Sequence, residues 1–96
     1  MEFEFDPEKS AANLKKHGLS LEDARLLWEV PAVVLRARVV DEERWMIIGR
    51  LKGRCHSCVF TVRAGVIRLI SARRSRKEEE RFCYERIEEK GEGGGV

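Results

Sequence analysis

Phe3 and Phe5 alternate with Glu2 and Glu4, the period-two pattern of a short edge strand. The period then changes. Asp6 followed by Pro7 reads as a helix start, with Asp6 as N-cap and proline at the first helical position. Lys16-His17-Gly18 closes that helix, cations at its negative end and glycine at a left-handed stop. Ser20 with Asp23 resembles a capping box, and Leu21, Ala24 and Trp28 give a second helix its buried stripe. Glu29 to Pro31 ends it.

From here the apolar positions read as strands. Ala32 to Val40 is rich in valine and leucine, interrupted by Arg36 and Arg38, and a charged turn Asp41-Glu42-Glu43 follows. Arg44 to Leu51 is the next strand and Lys52-Gly53 the next turn. Cys55 to Arg63 and Val66 to Arg73 flank Ala64-Gly65, a two-residue hairpin connection. Ser75 is the expected N-cap of a last helix running to about Glu89, and residues 91–96, with three consecutive glycines, are expected to be a disordered tail.

A strand, two helices, a four-strand meander and a final helix indicate an α+β fold with an antiparallel sheet. A helical pair is inserted after its first strand. The helices are expected on one face, leaving the other partly open for basic side chains. Strict alternation puts Arg68, Ile70, Ala72 and Arg74 on one face of their strand and Ile67, Leu69, Ser71 and Arg73 on the other.

Ninety-six residues, 43% apolar, suit one small domain, expected over residues 1–90. The N-terminus lacks a basic region followed by an apolar one, so no signal peptide is expected. No apolar run approaches the twenty or so residues that span a bilayer. Three cysteines, an odd number, point to reduced thiols in a cytoplasmic protein.

Charge adds what periodicity does not. From Arg44 to Lys77 the chain carries ten basic residues and no acidic one, although its net charge is only +2. Ten of the seventeen acidic residues precede this tract and seven follow it. Segregation of this kind suggests a surface that meets polyanions, phosphate above all.

Each candidate group has a plain structural reading beside its functional one. Arg68 sits in the middle of an apolar strand, where it either pairs with a carboxylate or snorkels to the sheet edge. With Arg73 and Arg74 it could equally form a phosphate clamp, because guanidinium binds oxygens in pairs. His17 belongs to ordinary helix-end chemistry, yet it is one of only two histidines and can move protons near neutral pH. Cys55-His56-Ser57-Cys58 invites a metal or redox reading, which strand alternation opposes by sending Cys55 and Cys58 to opposite faces. Cys83 is expected in the core. Tyr84 packs its ring on the sheet or turns its hydroxyl to the basic face, and Trp45 is core or a stacking platform for a base.

Phe5-Asp6-Pro7-Glu8-Lys9, Asn13, Lys16-His17-Gly18, Leu21-Glu22-Asp23-Ala24 and Pro31 resemble the N-terminal half of BrnT-type toxins. Ile48-Gly49, Ile67-Arg68-Leu69-Ile70-Ser71-Ala72-Arg73-Arg74 and Glu80-Arg81 with Tyr84 resemble the C-terminal half. The resemblance spans Phe3 to about Glu85. It implies a RelE-like fold and the ribonuclease toxin of a type II toxin–antitoxin pair. Its implied partner is a BrnA-like antitoxin with a ribbon-helix-helix part, through which the complex would meet operator DNA. No cofactor, metal or membrane is implied. Cleavage by the RNA's own 2′-hydroxyl would need Arg68, Arg73 and Arg74 at the phosphate, His17 as acid and Glu22 as base. Lys16, Arg44, Arg50 and Tyr84 would extend the RNA contact. A non-catalytic nucleic-acid-binding module, or a basic interaction protein, would use the same face.

Overall fold

A computed structural model describes residues 1–37 and 41–87, the last two by their backbone alone. Strand β1 (Glu2–Glu4) leads into helix α1 (Pro7–His17) and the short helix α2 (Leu21–Ala24), which continues as a 3-10 turn over Arg25–Glu29. Strands β2 (Ala32–Ala37), β3 (Arg44–Leu51), β4 (Arg54–Arg63) and β5 (Val66–Arg74) follow. Helix α3 (Lys77–Phe82) then passes into a π-helical turn, Cys83–Ile87. The expected end of the second strand at Val40, the last residues of the final helix and the glycine tail lie outside the described residues.

The helical ends form as their capping residues dictate. The Asp6 carboxylate accepts the Glu8 N–H at 2.9 Å, and Gly18 takes φ +76° while its N–H reaches the Leu14 carbonyl. The Ser20 hydroxyl accepts the Asp23 N–H at 2.9 Å. Ser10, buried in α1, accepts the Leu21 and Glu22 N–H groups, so one helix caps the next. Lys52-Gly53 and Ala64-Gly65 all take positive φ, the geometry that matches a two-residue turn to the twist of its strands.

The sheet order is β1-β5-β4-β3-β2, antiparallel except that β1 runs parallel to β5. β1 reaches only from Val66 to Arg68, which leaves the rest of β5 along the border of the sheet. α1, α2 and the 3-10 turn cover one face. There Leu21, Ala24 and Leu27 pack fully buried against Ile47, Cys58, Phe60, Leu69 and Ala72. Leu27 takes the stripe position expected of Trp28, which is half-buried and stands edge-on between Phe3 and Phe60. Gly49 lets the chain cross closely: a methyl there would lie 3.2 Å from both Leu27 Cδ2 and the Pro31 carbonyl oxygen.

Three expectations change. First, α3 does not join the other helices. It starts one residue later than expected, with Arg76 rather than Ser75 as N-cap, and its continuation lies on the opposite face with Ile48, Cys55, Val33, Leu35 and Met46. Ser75 is instead buried, hydroxyl to hydroxyl with Ser57 at 2.8 Å.

Second, Cys55 and Cys83 are joined in a disulfide, Cα to Cα 6.5 Å, where reduced thiols and a simple core cysteine were expected. Alternation correctly sends Cys55 and Cys58 to opposite faces, but nothing local says that the final helix crosses to the face of Cys55. Only Cys58 is a free thiol, and burial pushes its pKa up to about 12.

Third, β5 carries a bulge. Val59 faces Ser71 while Phe60 faces Leu69, so Ile70 is an extra residue and the alternation slips after it. Ile67, Leu69, Ala72 and Arg74 therefore share one face, and Arg68 and Arg73 the other. The regular alternation read from the sequence fails there.

Candidate functional site

Most arginines of the basic tract are already engaged. Arg68 meets Glu4 at 3.4 Å across the β1–β5 pair. Glu42 holds Arg63 at 2.8 Å and Arg44 at 3.3 Å. Arg73 makes a two-pronged contact with Glu79, at 2.6 and 2.8 Å. The guanidinium of Arg50 lies over the Tyr84 ring, 4.9 Å from its centre. Tyr84 thus joins the basic face through its ring and is 43% exposed. Trp45 is half-buried against the core, with the Arg36 guanidinium 5.7 Å from its ring centre.

Lys9, Lys15 and Lys77 are without an ion pair or side-chain hydrogen bond among the described residues, and so is a second set: Lys16, Lys52, Arg54 and Arg74. They belong to one end of the helix-covered face. Asn13 builds that end. Its amide donates to the carbonyls of Leu19 at 2.7 Å and Ala72 at 2.6 Å, and its oxygen accepts the Ala72 N–H at 3.3 Å. One side chain therefore completes the backbone pairing of β5 where β1 has stopped, and ties the chain after α1 to it.

Two hollows flank this tie. In the first, of about 240 Å³, Lys16 and His17 stand with Lys9 and Asn13 over Ile70 and Ser71. The second, of about 310 Å³, lies beyond Gly18 and is lined by Leu19, Asp23, Leu26, Leu51, Lys52 and His56. Arg74 sits opposite His56 in the β4–β5 ladder. His56 is held below its ordinary pKa, first by burial and then by the charges of Arg74, Arg54 and Lys52, against the opposing bond to the Arg54 carbonyl.

The residues singled out in the sequence are thus divided. His17 and Lys16 are together over β5, and Arg74 stands further along the same strand. Arg68 and Arg73 occupy the reverse face. Glu22 is exposed, 3.7 Å from Arg25, in a separate hollow with Met1, Phe3 and Trp28. Arg44, Arg50 and Tyr84 lie on the reverse face, towards α3.

Sequence reasoning missed His56, Asn13 and Glu79. Asn13 carried no signal beyond its place in a familiar string. Glu79 lay in a glutamate run that reads equally well as helix-dipole compensation. His56 was visible only as part of a cysteine pattern.

Among the described residues no group of three or more His, Cys, Asp or Glu is placed to hold a metal ion. None of their helices is long and apolar enough to cross a membrane. Residues 5–79 match the family model described as the ribonuclease toxin, BrnT, of type II toxin–antitoxin systems. No curated protein matches the chain.

Proposed function

Because the chain belongs to the BrnT family of ribonuclease toxins, we propose that it cleaves RNA without a metal ion, the RNA's 2′-hydroxyl attacking the adjacent phosphorus. That nucleophile is already attached to the substrate, so the protein needs to orient the phosphodiester, stabilise charge on it and move two protons. The observation that carries the reading is the gathering of cations beside two histidines. Lys16, Lys52, Arg54 and Arg74 lack ion-pair partners among the described residues and belong to the end of the fold where His17 and His56 border two hollows.

In this reading Arg74 binds the phosphate and its developing charge. Arg73 and Arg68 project from the same strand to the reverse face and raise the potential along its border. His17 gives a proton to the leaving 5′-oxygen. Glu22, the base that the resemblance implies, is exposed and pairs with Arg25. Arg44, Arg50, Lys16 and Tyr84 extend the contact to flanking nucleotides, with Tyr84 offering a ring face.

The protein works in the cytoplasm, where its substrate is. A BrnA-like ribbon-helix-helix antitoxin inhibits it by covering this basic end and carries the complex to operator DNA.

Purified protein incubated with RNA in EDTA tests the reading. The expected products end in a 2′,3′-cyclic phosphate and a 5′-hydroxyl, and Arg74→Ala lowers the rate by about 100-fold. RNA that is retarded on a gel but left intact would replace this reading with a non-catalytic binding module. No RNA affinity at low salt, with a tight protein complex instead, would make it a docking protein for an acidic partner.

A further inference from the structure

We propose that the hollow between the α1–α2 connection and the β3–β4 turn seats the nucleotide whose 2′-hydroxyl attacks, with His56 Nε2 accepting that proton. This rests on the ribonuclease reading and assigns its base to His56 in place of Glu22.

The hydrogen bonding of the ring comes first. His56 Nδ1 lies 3.0 Å from the Arg54 carbonyl oxygen, which can only accept, so Nδ1 carries the hydrogen. In the neutral ring Nε2 is then left with a lone pair. Burial, joined by the charges of Arg74, Arg54 and Lys52, disfavours the protonated ring, so the neutral form prevails at pH 7.

The hollow supplies the rest. Leu19, Leu26 and Leu51 form apolar walls, and about 310 Å³ accommodates a nucleobase with part of its ribose. Asp23, on the same hollow, can accept hydrogen bonds from the N–H groups of a base. The charged groups around the imidazole are Lys52 and Arg54 from its own hairpin, Arg74 from β5 and Asp23 from α2, with His17 next to Gly18 at the end of α1. Arg74 and Lys52 bring the phosphate beside the ring. The 2′-oxygen gives its proton to Nε2 and bonds to phosphorus, the bond from phosphorus to the 5′-oxygen breaks, and that oxygen takes a proton from His17. After each turnover the proton on His56 returns to solvent and His17 takes one up from solvent.

The test compares cleavage rates of the wild type and His56→Asn from pH 5 to 8, and their affinity for a 2′-O-methyl RNA that cannot be cut. The wild-type kcat/KM should rise with pH through a midpoint below 6.5 and fall again where the general acid loses its proton. His56→Asn should cleave at least about 100-fold more slowly, keep its affinity for the uncuttable RNA and lose the acidic limb. Histidine ring NMR on the wild-type protein does not depend on how the variant folds. Millimolar guanosine 3′-monophosphate should raise the His56 titration midpoint, because a phosphate dianion beside the ring favours its protonated form. His56→Asn cleaving at the wild-type rate, or a His56 midpoint unmoved by the nucleotide, overturns this inference while the ribonuclease reading stands. Wild-type protein that leaves RNA intact overturns both.

Discussion

Arg73 and Glu79 meet through two parallel hydrogen bonds, and the same Glu79 carboxylate also accepts from the Ser57 hydroxyl and the Arg76 N–H, each at 2.9 Å. One carboxylate thus joins the end of β5, the middle of β4 and the start of α3. Arg74, next to Arg73 in sequence, faces the other way and has no such partner among the described residues.

That difference separates the two arginines experimentally. Arg74→Ala should lower RNA cleavage by about 100-fold and leave the melting temperature within a degree or two. Arg73→Ala should lower the melting temperature by roughly 10 °C, because it strips a half-buried carboxylate of its charged partner. Cleavage assays and thermal melts on the same preparations decide this, and equal melting temperatures would count against the anchor role of Arg73.

Glu79 also fixes a pH dependence. Burial raises its pKa, but Arg73, the Arg76 N–H and Ser57 together outweigh burial and hold it below the ordinary carboxylate value. A folded pKa below the unfolded one, about 4.3, contributes stability that is present above that value and lost as pH falls through the folded one. Melting temperature should drop on acidification below about pH 4.3, and Glu79→Gln should be less stable at pH 7 yet lose less on acidification. Parallel slopes would remove Glu79 from the account.

The disulfide closes a separation of 28 residues between β4 and the π-helical turn. In the chain-entropy picture such a loop contributes about 3–4 kcal/mol. Dithiothreitol, or Cys83→Ser, should lower the melting temperature by more than about 10 °C. Amide exchange should rise first along Cys83–Ile87, and uniform exchange across the fold would argue against a local staple.

Asn13→Asp keeps the shape of the side chain but sets a carboxylate against the Leu19 and Ala72 carbonyl oxygens. A loss of about 2–4 kcal/mol is expected, with faster exchange of the Ala72 amide. An unchanged Ala72 amide would show that the tie is dispensable.

Much of this is legible in the sequence. Asp6, Pro7, Gly18 and Ser20 act through neighbours a few residues away, so local chemistry suffices for them. The Ala64-Gly65 hairpin brings β4 and β5 together for the same reason. What escaped depends on distant chain. The crossing of α3, and with it the Cys55–Cys83 bond, is set by which face remains apolar after β2 and β3 have paired. His56 gained its environment from β5 and from the α1–α2 connection, neither near it in sequence. Arg73 and Arg74 were singled out together, and their separate duties follow from a slip in alternation that residue types alone do not announce.

That slip at Ile70 acts as a counter on the strand. Every residue from Ser71 to Arg74 owes its side of the sheet to the bulge that takes Ile70 out of the alternation, so backbone register matters here as much as chemistry. With Ile70 kept but the bulge lost, strict alternation would move Arg73 to the side now held by Arg74 and turn Ala72 out of the core, with every functional residue type still present. Two chains with the same arginines in the same order could therefore differ entirely in which one is free to meet RNA.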